Sequence, residues 1–165
     1  MLLEVESSRV ISNLNVPARH FVCLLVWDSE QESVDEISQV AQVLLGSGGV
    51  YFCTWGEGCE KVHDIIDEVS NAADPGPADD SVVMTTWHDD ETLDEALWFF
   101  LRCTHPDQPY EDSCGAAVAV LIGNDADRSS RIRYALTHPR KFSQEVVDAE
   151  SEPTVNSNRA GPSAV

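Results

Sequence analysis

Three residues near the middle of the chain carry side chains suited to nucleophilic chemistry: Cys59, His63 and His88. Cys59 follows the turn Gly56-Glu57-Gly58 and opens a stretch with helical spacing. A helix N-terminus gathers unpaired N–H groups and the positive end of the macrodipole, and both favour a thiolate. His63 lies four residues on and so shares a helix face with Cys59, and His88 closes a neighbouring apolar run. An imidazole beside a thiol is how a cysteine nucleophile is activated. Glu57 and Glu60 flank Cys59 and oppose this, because nearby negative charge raises a thiol pKa. No third, orienting residue is identified.

The same atoms have rival uses. Cys53, Cys59, His63 and His88 are four soft or borderline ligands, enough for a tetrahedral zinc. Their spacing contains no CxxC pair, and Cys53 falls in mid-strand. Asp28, Asp89, Asp90 and Asp125 are a carboxylate set of the kind that holds magnesium through waters. Acidic runs are more simply solvated faces, so no metal and no cofactor is assigned. Gly56-Glu57-Gly58-Cys59 has the outline of a phosphate-cradling turn. It lacks the lysine and the serine or threonine of a P-loop, and two glutamates, Glu57 and Glu60, would repel an anion.

A second constellation comes from the ends of apolar runs. Three of them close alike, as Trp27-Asp28, Trp55-Gly56 and Trp87-His88, and a fourth closes Gly123-Asn124. Strands in register would set the three indoles at one level, with Asp28, Gly56, His88, Asp89, Asp90, Asn124 and Asp125 beyond them. Ligands of open α/β sheets bind outside the carboxyl ends of the strands. An aromatic wall with a few convergent polar groups describes a small-molecule pocket. The plainer alternative is that the tryptophans pack the core beneath the loops, while the polar residues cap helices and form turns.

These groups must be positioned by strands and helices in alternation. Phe21 to Trp27, Val50 to Trp55, Ser81 to Trp87 and Ala116 to Ile122 read as strands buried on both faces. Ser33 with Glu36, and Thr92 with Glu95, have the spacing of capping boxes. The first opens a helix with Val34, Ile37, Val40, Ala41, Leu44 and Leu45 on one face, and the second one with Leu93, Ala96, Leu97, Phe100 and Leu101. A helix from Cys59 carries Val62, Ile65, Ile66 and Val69, and a last one runs from about Asp127 to Leu136. Residues 73–78 read as a loop by their Pro and Gly content, and Met1 to Pro17 as an added strand or short helix. The fold expected is α/β: a mainly parallel sheet of four to five strands with helices on both faces, a Rossmann- or flavodoxin-like three-layer sandwich. One domain would span residues 1–142, with 143–165 a disordered acidic and polar tail.

Composition limits the partners. The 165 residues are 42% hydrophobic, enough for a real core. With 29 acidic against 10 basic residues the formal net charge is −19, which repels nucleic acid and anionic lipid. It suits a basic protein partner or a cation. No run of apolar residues is long enough to span a membrane, and no secretory signal is read at the N-terminus. The expected compartment is therefore the cytoplasm, where the five cysteines would be free thiols. Oligomeric state is not legible.

The strings Cys53-Thr54-Trp55-Gly56-Glu57-Gly58-Cys59 and Val83-Met84-Thr85-Thr86-Trp87-His88-Asp89-Asp90-Glu91, followed by Leu93, Glu95 and Trp98, resemble an uncharacterised bacterial family of small acidic proteins that carry a domain of unknown function. The resemblance covers about Phe21 to Leu121 and implies a bacterial, cytoplasmic protein. It transfers no reaction. Such small proteins often stand in toxin–immunity or phage-defence neighbourhoods.

The leading reading is a non-enzymatic interaction module whose acidic face meets a basic protein, as an immunity or regulatory protein would. The second is a thiol-dependent enzyme using Cys59 with His88 or His63. The third is a sensor that holds a small ligand against Trp27, Trp55 and Trp87.

Overall fold

The computed structural model describes residues 1–11, 14–72 and 81–151. Its strands are β1 (Leu2–Val5), β2 (His20–Trp27), β3 (Gly49–Trp55), β4 (Met84–Trp87) and β5 (Cys114–Ile122). Its α-helices are α1 (Val34–Gly46), α2 (Cys59–Ala72), α3 (Leu93–Arg102), α4 (Ala126–Thr137) and α5 (Pro139–Ser151). The five strands form one parallel sheet in the order β1-β5-β2-β3-β4. The expected α/β sandwich is what forms, and Leu2–Val5 supplies its fifth strand.

The connections decide which face each helix covers. From β2 through β3 to β4 the chain steps one way across the sheet, so the right-handed crossovers put α1 and α2 on the same face. From β4 it returns past β3 and β2 to β5, which carries α3 to the opposite face with α4 and α5. Two cores result. Phe21, Cys23, Leu25, Trp27, Phe52, Val118 and Val120 pack under α1 and α2. Val22, Leu24, Val26, Tyr51, Cys53, Ala119 and Leu121 pack under α3, α4 and α5. Alternate residues of one strand thus serve opposite layers, and a near-continuous apolar run is what that requires.

Both capping boxes close. The Ser33 hydroxyl accepts from the Glu36 N–H and the Glu36 carboxylate accepts from the Ser33 N–H, and Thr92 with Glu95 repeats the arrangement at α3.

Two expectations need correction. The tail does not begin at residue 143, because α5 runs to Ser151 and buries Phe142, Ser143 and Val146. Phe142 and Val146, four apart, make a stripe too thin to stand out in a polar stretch. The third strand is shorter than expected, four residues from Met84, because an edge strand is paired on one side only. Residues 73–78, expected as a loop, and 152–165 lie outside the described residues. Among the described residues no helix is long and apolar enough to cross a membrane.

Candidate functional site

The sheet order reverses direction between β2 and β5, and the loops leaving these two strands diverge there. Such a switch point is where open α/β sheets receive ligands. In this chain Arg128, in the first turn of α4, spans it. Its guanidinium lies 2.7 Å from the Asp28 carboxylate after β2 and 3.1 Å from Asp125 after β5. It also lies over the Trp55 ring, 5.0 Å from the centroid. A cation in the first turn of a helix opposes the macrodipole, and here tertiary carboxylates and an indole compensate for it.

Beside Arg128 a concavity of about 490 Å³ opens over the ends of β2, β3 and β4. Asp28, Glu30, Glu57, Asp89 and Glu91 ring it, with Trp55, Gly56, Gly58 and His88. Its floor is tightly built. Gly56 has φ +120°, and a Cβ there would meet the Trp27 carbonyl oxygen at 2.5 Å. The buried Ser29 donates from its N–H to the Glu57 carbonyl at 2.7 Å, and the Asp28 carboxylate accepts the Glu57 N–H at 3.1 Å. The loops after β2 and β3 are therefore fastened to each other.

Glu91 organises the side nearest β4. Its carbonyl accepts the Trp55 indole N–H at 2.9 Å, and its carboxylate lies 2.9 Å from His88 Nδ1. The other ring nitrogen of His88 lies 3.1 Å from the Thr86 hydroxyl, and the ring packs on Phe99. A carboxylate accepts, so Nδ1 is the donor on that side, and Nε2 is taken up by the Thr86 hydroxyl. Carboxylate, imidazole and hydroxyl in series resemble a hydrolytic relay. The Thr86 hydroxyl, however, turns toward Tyr51 and Cys53 beneath α3 and does not line the concavity. The chain holds His88 and Glu91 in place as one satisfied, half-buried network.

The thiol constellation is not assembled. Cys59 does open α2, but it is 1% exposed. Burial pushes its thiol up and Asp89 adds to that, while the N–H groups of His88 and Glu60 offset part of it. Neither imidazole turns to it. His63 lies 3.0 Å from Asp64 and 3.6 Å from Asp67 and packs on Trp87, and both nitrogens of His88 are engaged as described. Burial raises Cys53 further, to about 12. Among the described residues no three His, Cys, Asp or Glu side chains gather as a metal site. Neither the Cys53, Cys59, His63, His88 set nor the Asp28, Asp89, Asp90, Asp125 set comes together.

The aromatic wall does not form either. Trp55 pairs with Val26 and Trp27 with Ile122, so the two indoles are one residue out of register. A one-residue offset sends side chains to opposite faces. Trp27, 3% exposed, packs under α1 and α2, while Trp55 lies on the other face beside Arg128. Trp87 sits on the outer strand against His63. Of the residues expected to bind a ligand, Asp28, Trp55, Gly56, His88 and Asp89 meet at the concavity. Asn124 lines a separate hollow with Glu4, Glu6 and Ser129, and Asp90 is exposed outside both. Sequence reasoning passed over Arg128, Glu30 and Glu91. For Arg128 a signal existed: a basic residue three positions after the helix-capping Asp125, where local electrostatics disfavour it.

With that geometry in place, a family model described as "Domain of unknown function (DUF7684)" matches residues 2–139, which takes in every strand and the concavity. The chain belongs to this family. No curated protein and no solved structure matches it. Membership assigns no reaction, and what the site does rests on its own residues.

Proposed function

We propose that this protein is a binding module that receives a cationic group of a basic protein partner in the concavity over the ends of β2, β3 and β4. One observation carries the reading. Five carboxylates ring an aromatic floor, and a guanidinium of the chain's own, Arg128, already rests there on Trp55 against Asp28. Cations over an indole face with carboxylates beside them are favoured by the ring quadrupole and by charge-assisted hydrogen bonds. A formal net charge of −19 steers basic partners to the surface and repels acidic ones. A module that covers a basic protein's functional groups would act as an immunity or regulatory protein does. The thiol-dependent reading finds no support in a buried Cys59 without an imidazole partner. The sensor reading keeps only Trp55 of its three indoles.

The test is a titration of the labelled chain with an arginine-rich peptide, followed by amide and indole NMR shifts at rising salt. Saturable shifts should centre on Trp55, Gly56 and Gly58 and weaken as screening increases. Asp28→Asn combined with Asp89→Asn should weaken binding about tenfold, since each lost charge contact contributes about 0.7 kcal/mol. Shifts scattered over the whole acidic surface and indifferent to these substitutions would remove the site.

A further inference from the structure

The outer strand β4 has features that the concavity does not use. It pairs with β3 alone, in the register Thr54 to Trp87 and Phe52 to Thr85. The His88 N–H donates to the Thr54 carbonyl. In a parallel ladder this points the backbone groups of Thr86 and His88 at β3, and those of Thr85 and Trp87 away from it. Among the described residues nothing bonds to the outward N–H and C=O groups of Thr85 and Trp87.

The side chains along this edge are unusually apolar for a surface. Val82 is 54% exposed, Met84 41% and Trp87 44%. Three of the seven exposed large hydrophobic residues among those described therefore lie within six consecutive positions, in and just before this strand. Of the devices that blunt exposed edges, β4 has shortness and flanking carboxylates, but from Val82 to Trp87 it has no lysine, proline or bulge. The charged groups that touch the strand are carboxylates. Asp67 accepts from the Thr85 hydroxyl at 2.6 Å, and Asp107 from the Val82 N–H at 2.9 Å. Asp64 stands beside His63 under Trp87, and Asp89 and Asp90 follow the strand directly.

We propose that β4 is a strand-addition edge that takes an extended segment of a partner in which apolar residues alternate with lysine or arginine. Free backbone groups supply the ladder bonds, Met84 and Trp87 on opposite faces receive alternate side chains, and the flanking carboxylates select positive charge. A second copy of this chain is the less fitting occupant, because self-pairing would bring Asp67, Asp89, Asp90 and Asp107 against their own likenesses. The inference deepens the basic-partner reading and rests on it, adding a second surface and the conformation of the bound segment.

The probe is a nine-residue peptide alternating valine with lysine, added to the full chain, with amide hydrogen exchange read by NMR. Exchange at Thr85 and Trp87 should slow at least tenfold. The same peptide N-methylated at alternate residues, which keeps its charge and loses its ladder donors, should give no such slowing. Met84→Lys, at an exposed position, should weaken peptide binding about tenfold and leave the shifts of Gly56 and Gly58 with arginine-rich peptide unchanged. Peptide that binds without protecting Thr85 and Trp87, or N-methylated peptide that binds as well, overturns the edge and leaves the concavity standing. Failure of every basic peptide to bind overturns both readings. A dimer in sedimentation that Met84→Lys converts to monomer would give the edge to a second copy and overturn the proposal.

Discussion

β2 and β4 lie two places apart in one sheet and do opposite work. Seven of the eight residues of β2 are buried, and it is paired on both sides, with β5 and with β3. None of the four residues of β4 is buried, and it is paired on one side. The middle of the sheet thus holds the stability, and its outer edge keeps apolar side chains exposed and, among the described residues, has no ladder partner on its far side.

The largest way to test that division is to cut into the centre. Leu24 is fully buried under α3, α4 and α5. Leu24→Ala should cost ~2–5 kcal/mol, from lost transfer energy and the cavity left behind. Denaturant unfolding measures it. A loss below about 1 kcal/mol would mean that β2 is not the strand on which the core depends.

A smaller effect is expected at the concavity's floor, between centre and edge. Gly56 occupies a left-handed conformation, and an added Cβ would meet backbone, which cannot swing aside. Gly56→Ala should lose about 1–3 kcal/mol of stability, the usual range for a strained backbone. It should also spread the loops after β2 and β3, which Ser29, Asp28 and Glu57 hold together. The check pairs denaturant unfolding with titration by the arginine-rich peptide, where binding should weaken. A variant with unchanged stability and binding would show that the fastening of these loops does not shape the site.

The same contrast explains what was legible in the sequence. β2, β3 and β5 are continuous apolar runs, and α1 and α3 combine a clear stripe with a capping box, so local pattern and tertiary position agree. Val82 to Trp87 has nearly the same local pattern and a different fate, because a run of apolar residues does not state whether a second neighbour will pair with it. The tryptophans were misplaced for a related reason. Each closes its strand, but the stagger of Trp55 against Val26 is set between strands and is invisible in either one alone. At the site, Asp28, Gly56, His88 and Asp89 were legible from their place at strand ends. Arg128 comes from a helix 100 residues beyond Asp28, and Cys59 could be placed at its helix start without any sign that its side chain would be enclosed.

The smallest expected effect is at Met84, and it bears most directly on the contrast. The side chain is already 41% exposed, and its strand is held by β3 through backbone bonds that a substitution leaves alone. Met84→Ser removes apolar surface that folding only partly buries, so stability should change by no more than about 0.5 kcal/mol. Thermal and denaturant unfolding beside the unaltered chain would detect anything larger. If the loss approached that of Leu24→Ala, Met84 would be part of the core and the edge would be structural. If stability held while the valine–lysine peptide lost affinity, the exposed apolar surface of β4 would serve binding without serving the fold. That separation is what distinguishes an interaction edge from an incompletely covered one.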